Sequence, residues 1–116
     1  MSSSRIFIFG ATGYAGRSIC NYLLKHTECG LIVSSRELEK ALDLADKLNE
    51  DADNKRVVGV ELSRLETDEL ARVFTSIDVF IQAGPALDAI SLLILAKAVI
   101  AAGAHWVDLQ LPSSQH

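Results

Sequence analysis

The stretch IFIFGATGYAGRSI, residues 6–19, places three glycines between two apolar runs. The first run, residues 5–9, is rich in β-forming side chains and stops at Gly10, which is typical of a strand. From about residue 15 to residue 26, apolar side chains recur at helical spacing. Because a glycine in regular structure costs about 0.5–1 kcal/mol relative to alanine, three at this junction indicate that something approaches the backbone closely.

The remainder of the chain continues this alternation of short strands and helices. The predicted elements are a strand at 30–34, a helix at 37–48, a strand at 56–62, a helix at 66–75, a strand at 78–82, a helix at 88–102 and a strand at 105–109. Residues 49–55 are polar and are predicted to form a loop. Strict alternation favours a parallel sheet with helices on both faces. We therefore predict a Rossmann-type doubly wound α/β domain with five strands in the order 3-2-1-4-5, which binds ligands at the carboxyl ends of its strands.

Composition narrows the classes of protein to which this chain can belong. Its 116 residues suit one domain, and a hydrophobic fraction of 49% is too high for a disordered chain. The net charge of -4 and the lack of a Lys/Arg cluster argue against nucleic acid as a partner. Cys20 and Cys29 lack the spacing of a zinc site, so no metal is predicted. Two reduced thiols without a signal sequence favour a cytoplasmic protein.

Residues 86–102 are polar only at Asp88, Ser91 and Lys97. The segment is too short to span a bilayer comfortably and carries a charge, so no membrane association is predicted. We expect a buried helix that ends at Gly103, a typical C-terminal cap. A helix that is apolar nearly all round needs cover on more than one side. The sheet is one cover, and the other would be a second domain or a second subunit.

The glycines have the spacing Gly10-x-x-Gly13-x-x-Gly16, a variant of the G-x-G-x-x-G pattern of dinucleotide-binding sites. Gly10 is predicted to form the tight turn, Gly13 to admit phosphates, and Gly16 to let the helix pack on the strand. The first helical N–H groups and the helix dipole would then bind a pyrophosphate. The predicted binding residues here are Gly10, Ala11, Thr12, Gly13, Tyr14, Ala15 and Gly16. The alternative is a glycine-rich turn without a ligand.

The second predicted strand ends in Val33-Ser34-Ser35-Arg36 and has no acidic residue at its tip. NAD sites usually have a carboxylate here for the ribose 2′-OH, whereas Arg36 can pair with the 2′-phosphate of NADP. Ser34 and Ser35 add small donors, and Glu37 would have to point away. We therefore predict NADP as the cofactor, with NAD as the alternative. The other interpretation of Arg36 is an exposed arginine at a helix start.

The fourth predicted strand ends in Gln82-Ala83-Gly84-Pro85. Small residues at this carboxyl end would let a ribose and a nicotinamide lie against the backbone, and Pro85 removes a donor and stiffens the turn. Ala83, Gly84 and Pro85 are therefore predicted to bind the cofactor. The alternative is a simple turn from a strand to a helix.

Four segments together resemble the N-terminal NAD(P)-binding domain of the saccharopine dehydrogenase (saccharopine reductase-like) family. These segments are residues 10–17, 35–40, 78–85 and 101–109. The glycine turn is shared by many Rossmann families, whereas Ala-Gly-Pro followed by an apolar helix and His-Trp-Val-Asp-Leu is more specific. The chain departs from the family pattern at two places: Ser35 replaces a glycine, and Ile81-Gln82 replaces Asn-Cys.

The resemblance implies the cofactor part of an oxidoreductase that moves hydride between nicotinamide C4 and an imine or secondary-amine carbon. In that family a second α+β domain binds the substrate and supplies much of the contact of a homodimer. The resemblance thus implies that residues 1–116 lack this domain and are inactive alone. A non-catalytic NAD(P)-sensing module is the alternative function. No proton-transfer residue stands out, and His105 is expected to be a packed strand histidine, so the catalytic residues and the substrate stay unassigned.

Overall fold

The computed structural model describes residues 4–52, 55–84 and 87–108. Strands and helices alternate along these residues, as predicted. The elements are β1 (Arg5–Phe9), α1 (Tyr14–His26), β2 (Gly30–Ser35), α2 (Leu38–Ala52), β3 (Val57–Glu61), α3 (Thr67–Val73), β4 (Val79–Gln82), α4 (Ala89–Ala101) and β5 (His105–Asp108). The range of β1 coincides with its prediction, and most other ends lie within one or two residues of theirs.

The strands form one parallel sheet in the order β3-β2-β1-β4-β5, which confirms the predicted topology. β1 lies at the centre, where Phe7 is paired with Ile32 of β2 on one side and with Phe80 of β4 on the other. The chain order reverses between β1 and β4. The carboxyl ends of these two strands therefore border the crevice in which doubly wound sheets bind their ligands.

The two faces of the sheet carry separate cores, because successive side chains of a strand point to opposite faces. On one face, Ile6 and Ile8 pack with residues of α1 and α2. On the other face, Phe7 packs with residues of α3 and α4. Its ring stacks on Phe80 with 5.6 Å between centroids and meets Phe74 edge-on at 5.0 Å. Helices on both faces thus hold the sheet and fix the positions of the loops at its carboxyl edge.

Helix α2 is longer than predicted. The polar run at 49–55 predicts a loop, but α2 continues to Ala52, so the prediction is wrong for residues 49–52. The Asn49 side chain explains the difference. Its Oδ1 accepts a hydrogen bond from the Val57 N–H at 2.8 Å, and its Nδ2 donates to the Val57 carbonyl at 3.0 Å. Asn49 thus serves as a strand partner for the start of β3, which requires a polar side chain in the last turns of α2.

Arg56, just before β3, closes the carboxyl end of α1. Its guanidinium donates to the carbonyls of Leu24 and Thr27, each at 2.6 Å, and to that of Cys29 at 3.1 Å. The last carbonyls of a helix have no partner within the helix. Arg56 supplies them with charged donors, which form stronger hydrogen bonds than neutral ones.

Helix α4 is covered on one side. Leu95 and Val99 are buried against the sheet, whereas Ile90 and Ile100 are 73% and 75% exposed. The prediction of a buried helix is therefore wrong for the outer face, which the described residues leave to solvent. No helix among the described residues has the length and apolarity that crossing a membrane requires.

Both ends of α4 are capped within the chain. At its start, the Asp88 carboxylate accepts a hydrogen bond from the Ser91 N–H at 2.7 Å. At its end, Gly103 adopts φ +74, and the Ala104 N–H donates to the Val99 carbonyl at 3.1 Å. This is the bonding of a Schellman motif, which confirms the predicted glycine cap.

Candidate functional site

The loops that follow β1 and β4 touch each other at the carboxyl edge of the sheet. β1 ends at Phe9 and β4 at Gln82, which are neighbours in the strand register. Gly10 then turns with φ +85, and a Cβ there would overlap the Gly84 Cα and lie 2.5 Å from the Gly84 N atom. Only glycine at position 10 permits both this turn and this backbone contact, which confirms the predicted tight turn.

The start of α1 packs directly on this turn. A Cβ at Gly16 would overlap the Gly10 carbonyl oxygen and lie 2.6 Å from the Ala11 Cα. Gly13 differs, because its backbone is extended with φ -81 and a Cβ there would meet only the Gly10 oxygen, at 3.5 Å. The loop is therefore tight on its inner side and open to solvent at Gly13.

Helix α1 begins without a side-chain cap. Its N-cap residue is Gly13, and within the described segment 4–52 no side chain bonds to this cap and no acidic residue lies in the first turn. The Arg17 N–H donates to the Gly13 carbonyl at 3.0 Å. The N–H groups of Tyr14, Ala15 and Gly16 come before that bond and have no acceptor within the helix. Together with the positive end of the helix dipole, they suit this helix start to an anion.

The predicted residues of this loop differ in exposure. Thr12, Gly13, Tyr14 and Ala15 are exposed, and the Tyr14 side chain is 90% exposed. The Ala11 side chain, by contrast, is fully buried and packs in the core beside α1 and α2. Ala11 is 0% exposed as a whole residue, so it presents no accessible surface to a ligand.

The end of β2 makes a short turn into α2. Ser34 is buried and Ser35 is half-buried, and the Ser35 Oγ accepts a hydrogen bond from the Glu37 N–H at 3.3 Å. Arg36 is exposed. The Glu37 carboxylate lies 3.8 Å from the Lys40 ammonium. The Glu37 carboxylate is thus held beside Lys40 of α2.

The end of β4 is held by a buried amide. Gln82 is only 1% exposed, and its Oε1 accepts a hydrogen bond from the Gly84 N–H at 3.2 Å. The Ala83 N–H donates to the Phe9 carbonyl at 2.9 Å. The sequence had indicated only that this turn is small, and the structure shows that Gln82 fixes its shape. Pro85, the last predicted binding residue, lies outside the described residues.

A pocket of about 240 Å³ opens beside the loop, between α1 and α2. We call it the α1–α2 pocket, and its lining residues are Thr12, Arg17, Lys40, Asp43, Leu44 and Lys47. Of these, only Thr12 is among the predicted binding residues. The available signal was the spacing of Lys40, Asp43, Leu44 and Lys47, which places them on one helical face.

The titratable groups of the described residues do not assemble an acid–base pair at this edge. Burial raises the pKa of the Cys20 thiol to about 12, so it stays protonated and is no nucleophile. His105 begins β5, as expected, but it is exposed rather than packed. Its side chain points to the face of the sheet opposite that of Trp106, which packs against the core beside α3 and α4. Potential metal ligands do not come together in groups of three or more in the part of the chain that the structure describes.

Residues 6–116 match the family model of the saccharopine dehydrogenase NADP binding domain. The chain belongs to this family. The match confirms the resemblance read from the sequence and the prediction of NADP as the cofactor of this domain.

Solved structures share the fold of this NADP-binding domain. A short-chain dehydrogenase/reductase from Veillonella parvula DSM 2008, in complex with NADP, has a TM-score of 0.74 and 19% identity over 92% of this chain and 47% of that one. A saccharopine dehydrogenase (L-Glu forming) from Saccharomyces cerevisiae has a TM-score of 0.67 and 16% identity over 97% of this chain and 23% of that one. The chain thus spans less than half the length of either structure. No curated protein sequence matches it significantly.

Proposed function

We propose that this chain is the cofactor-binding part of an NADP-dependent oxidoreductase that transfers hydride between nicotinamide C4 and an imine or secondary-amine carbon. The family match supports this, as do two similar oxidoreductases of which the chain spans less than half. Bound NADP supplies the hydride chemistry, and the protein orients the cofactor and excludes water. A second α+β domain would bind the substrate and contribute the catalytic residues.

The open start of α1 is the observation that carries this proposal. The N–H groups of Tyr14, Ala15 and Gly16 donate to the pyrophosphate, and the Thr12 hydroxyl adds a further donor. Gly13 gives the phosphates room, because a side chain there would extend into open space. No carboxylate of the first turn competes with the anion.

The adenosine end of the cofactor lies toward β2. Arg36, exposed at the strand tip, pairs with the 2′-phosphate, since a guanidinium can bind a phosphate with two parallel hydrogen bonds. Ser34 and Ser35 add polar groups beside the ribose. The absence of a carboxylate at residues 34–36 favours NADP over NAD.

The nicotinamide end lies toward β4, where the two loops touch. The half-buried residues Gly10, Ala83 and Gly84 form a surface without large side chains, against which a ribose and a nicotinamide fit. Pro85 follows this surface in the chain and completes the proposed binding set.

Two features bear on the setting of the domain. The exposed apolar face of α4, which includes Ile90 and Ile100, suits cover by the second domain or by a second copy in a homodimer. Cys20 and Cys29 are both free thiols, which suits the reducing environment of the cytoplasm.

The test is a calorimetric titration of the chain and of Gly13→Val with NADPH. We expect the variant to bind at least about tenfold more weakly, because a side chain at this position occupies the place of the phosphates. Its free energy of unfolding should fall by about 1 kcal/mol, because valine is a poorer N-cap than glycine. Ser18→Val, on the exposed surface one turn further along α1, is the control and should bind as the wild type does.

Unchanged affinity of Gly13→Val would contradict the proposed site. The larger proposal is tested by the gene: the reading frame should continue past codon 116 for one further domain, about 100–200 residues. A frame that stops at codon 116 would instead make the chain a free-standing NADP-binding module.

A further inference from the structure

The α1–α2 pocket combines positive charge with access to the phosphate-binding loop. Arg17, Lys40 and Lys47 line it, opposed by the single carboxylate of Asp43. Thr12 belongs to both the pocket and the loop, so the pocket begins where the proposed pyrophosphate site ends. Arg17 is the residue directly after Gly16, and it lies in the first turns of α1.

The cations of α2 are arranged along one face of the helix. Lys40 lies in the first turn of α2, four residues after Arg36, whereas Lys47 lies two turns further along the same face. At a rise of about 1.5 Å per residue, this separates the two lysines by roughly 10 Å. Leu44, which is buried, forms the apolar floor between them.

We propose that Arg17 and Lys40 bind the 2′-phosphate of NADP together with Arg36, so that the α1–α2 pocket determines the preference for NADP over NAD. This inference rests on the proposed binding of NADP at the start of α1. With the pyrophosphate at that start and the adenosine ribose at the tip of β2, the 2′-phosphate lies between α1, which carries Arg17, and α2, which carries Lys40. A phosphate carries close to two negative charges at neutral pH and therefore needs more than one cation.

Two carboxylates oppose this role and make the proposal testable in both directions. Glu37 lies 3.8 Å from Lys40, but both side chains are about two-thirds exposed, and exposed pairs of this kind are weak. Lys40 can therefore exchange Glu37 for a phosphate, which accepts stronger charge-assisted hydrogen bonds. Asp43 lines the pocket itself and repels a phosphate there.

The experiment compares the affinities of NADPH and NADH for the wild type, Arg17→Gln, Lys40→Gln and Lys47→Gln. In Arg17→Gln and Lys40→Gln, the loss of one charged hydrogen bond should weaken the binding of NADPH about tenfold. The affinity for NADH should change less than about twofold. Lys47→Gln is the matched control. It removes an ammonium group from the same face of α2, about one Debye length away from Lys40. It should weaken NADPH by no more than about threefold.

Asp43→Asn should change the affinity for NADPH in the opposite direction. Removal of the repelling carboxylate should tighten NADPH by about threefold and leave NADH unchanged. All four altered side chains are exposed, so the unfolding transitions of the variants should coincide with that of the wild type, which separates binding from folding.

The outcomes separate this inference from the function on which it rests. Equal losses for NADPH and NADH, or no loss for either, would overturn the role of the pocket and leave the NADP site in place. A wild-type chain that binds neither nucleotide would overturn the proposed function and this inference with it. A loss of affinity for NADPH, but not for NADH, in both Arg17→Gln and Lys40→Gln would support the proposal.

Discussion

Helices α1 and α4 start at the same edge of the sheet, after the neighbouring strands β1 and β4. In both, the first N–H groups have no acceptor within the helix, but the two helix starts treat these groups in opposite ways. At α4, the Asp88 carboxylate accepts hydrogen bonds from the Ser91 N–H at 2.7 Å and the Ser91 hydroxyl at 3.0 Å. At α1, the corresponding residue is Gly13, which has no side chain to offer. One helix start is closed by the chain itself, and the other keeps its N–H groups available.

Because of this contrast, we expect a phosphate ligand at the start of α1 and not at the start of α4. A glycine N-cap costs only a few tenths of a kcal/mol relative to Ser, Asn or Asp, so the chain gives up little stability at α1. An acidic cap at α1 would place a negative charge where the proposed pyrophosphate binds. The Asp88 carboxylate at α4 creates no such conflict, because the proposed site places the phosphates at α1.

The largest expected effect comes from breaking the turn at Gly10, which contacts the loop after β4. Gly10→Ala should lower the free energy of unfolding by about 3 kcal/mol, through strain at positive φ and a backbone overlap with Gly84. Urea unfolding measures the change. Gly103→Ala is the control, since it also has positive φ but no atom within 4 Å of its Cβ, and it should lose only about 1 kcal/mol. Equal losses would show that the contact between the loops contributes nothing.

The next effect makes the start of α1 resemble that of α4. Gly13→Asp should stabilise the fold by about 0.5 kcal/mol, because an acid favours the positive end of a helix. The same carboxylate should weaken NADPH binding about a hundredfold, or about 2.7 kcal/mol. Thermal unfolding and calorimetric titration give the two values. A variant that is more stable and still binds NADPH as the wild type does would contradict the assignment of the phosphates to α1.

The smallest effect concerns the charge at the start of α4. The hydrogen bond from the Ser91 N–H lowers the pKa of Asp88 below its ordinary value. A carboxyl with a lowered folded-state pKa stabilises the fold above its unfolded pKa, and this contribution is lost as the pH falls through the folded pKa. Asp88→Asn should therefore unfold at a lower temperature than the wild type at pH 7, and the gap should close below about pH 4. A gap that is constant down to pH 2.5 would show that the ionised form has no special role.

The topology and the glycine loop could be predicted from the sequence because both depend on local patterns of residues. Alternating apolar patterns predict the elements, and three glycines at fixed spacing predict the turn, the open position at Gly13 and the packing of Gly16. The tip of β2 was predictable for the same reason, since the type of residue at a strand end decides which charge it presents.

Other features depend on contacts between distant elements, which local periodicity does not encode. The sequence predicts Asn49 to be a loop residue, because the backbone of Val57, to which its side chain is hydrogen-bonded, lies in another element. The exposure of α4 depends on what else lies over that helix, which its own sequence cannot specify. The α1–α2 pocket brings Arg17 to Lys40 only after both helices pack on the same face of the sheet.

Three hydrogen bonds from Arg56 span 27, 29 and 32 residues of the chain. The closing of loops of this length costs entropy that one contact rarely offsets. During synthesis the carboxyl end of α1 must wait for a residue that emerges about thirty positions later. The β1-α1-β2 crossover therefore lacks these hydrogen bonds until Arg56 and β3 have been synthesised. We expect the β1-α1-β2 and β2-α2-β3 crossovers to fold together as one cooperative unit.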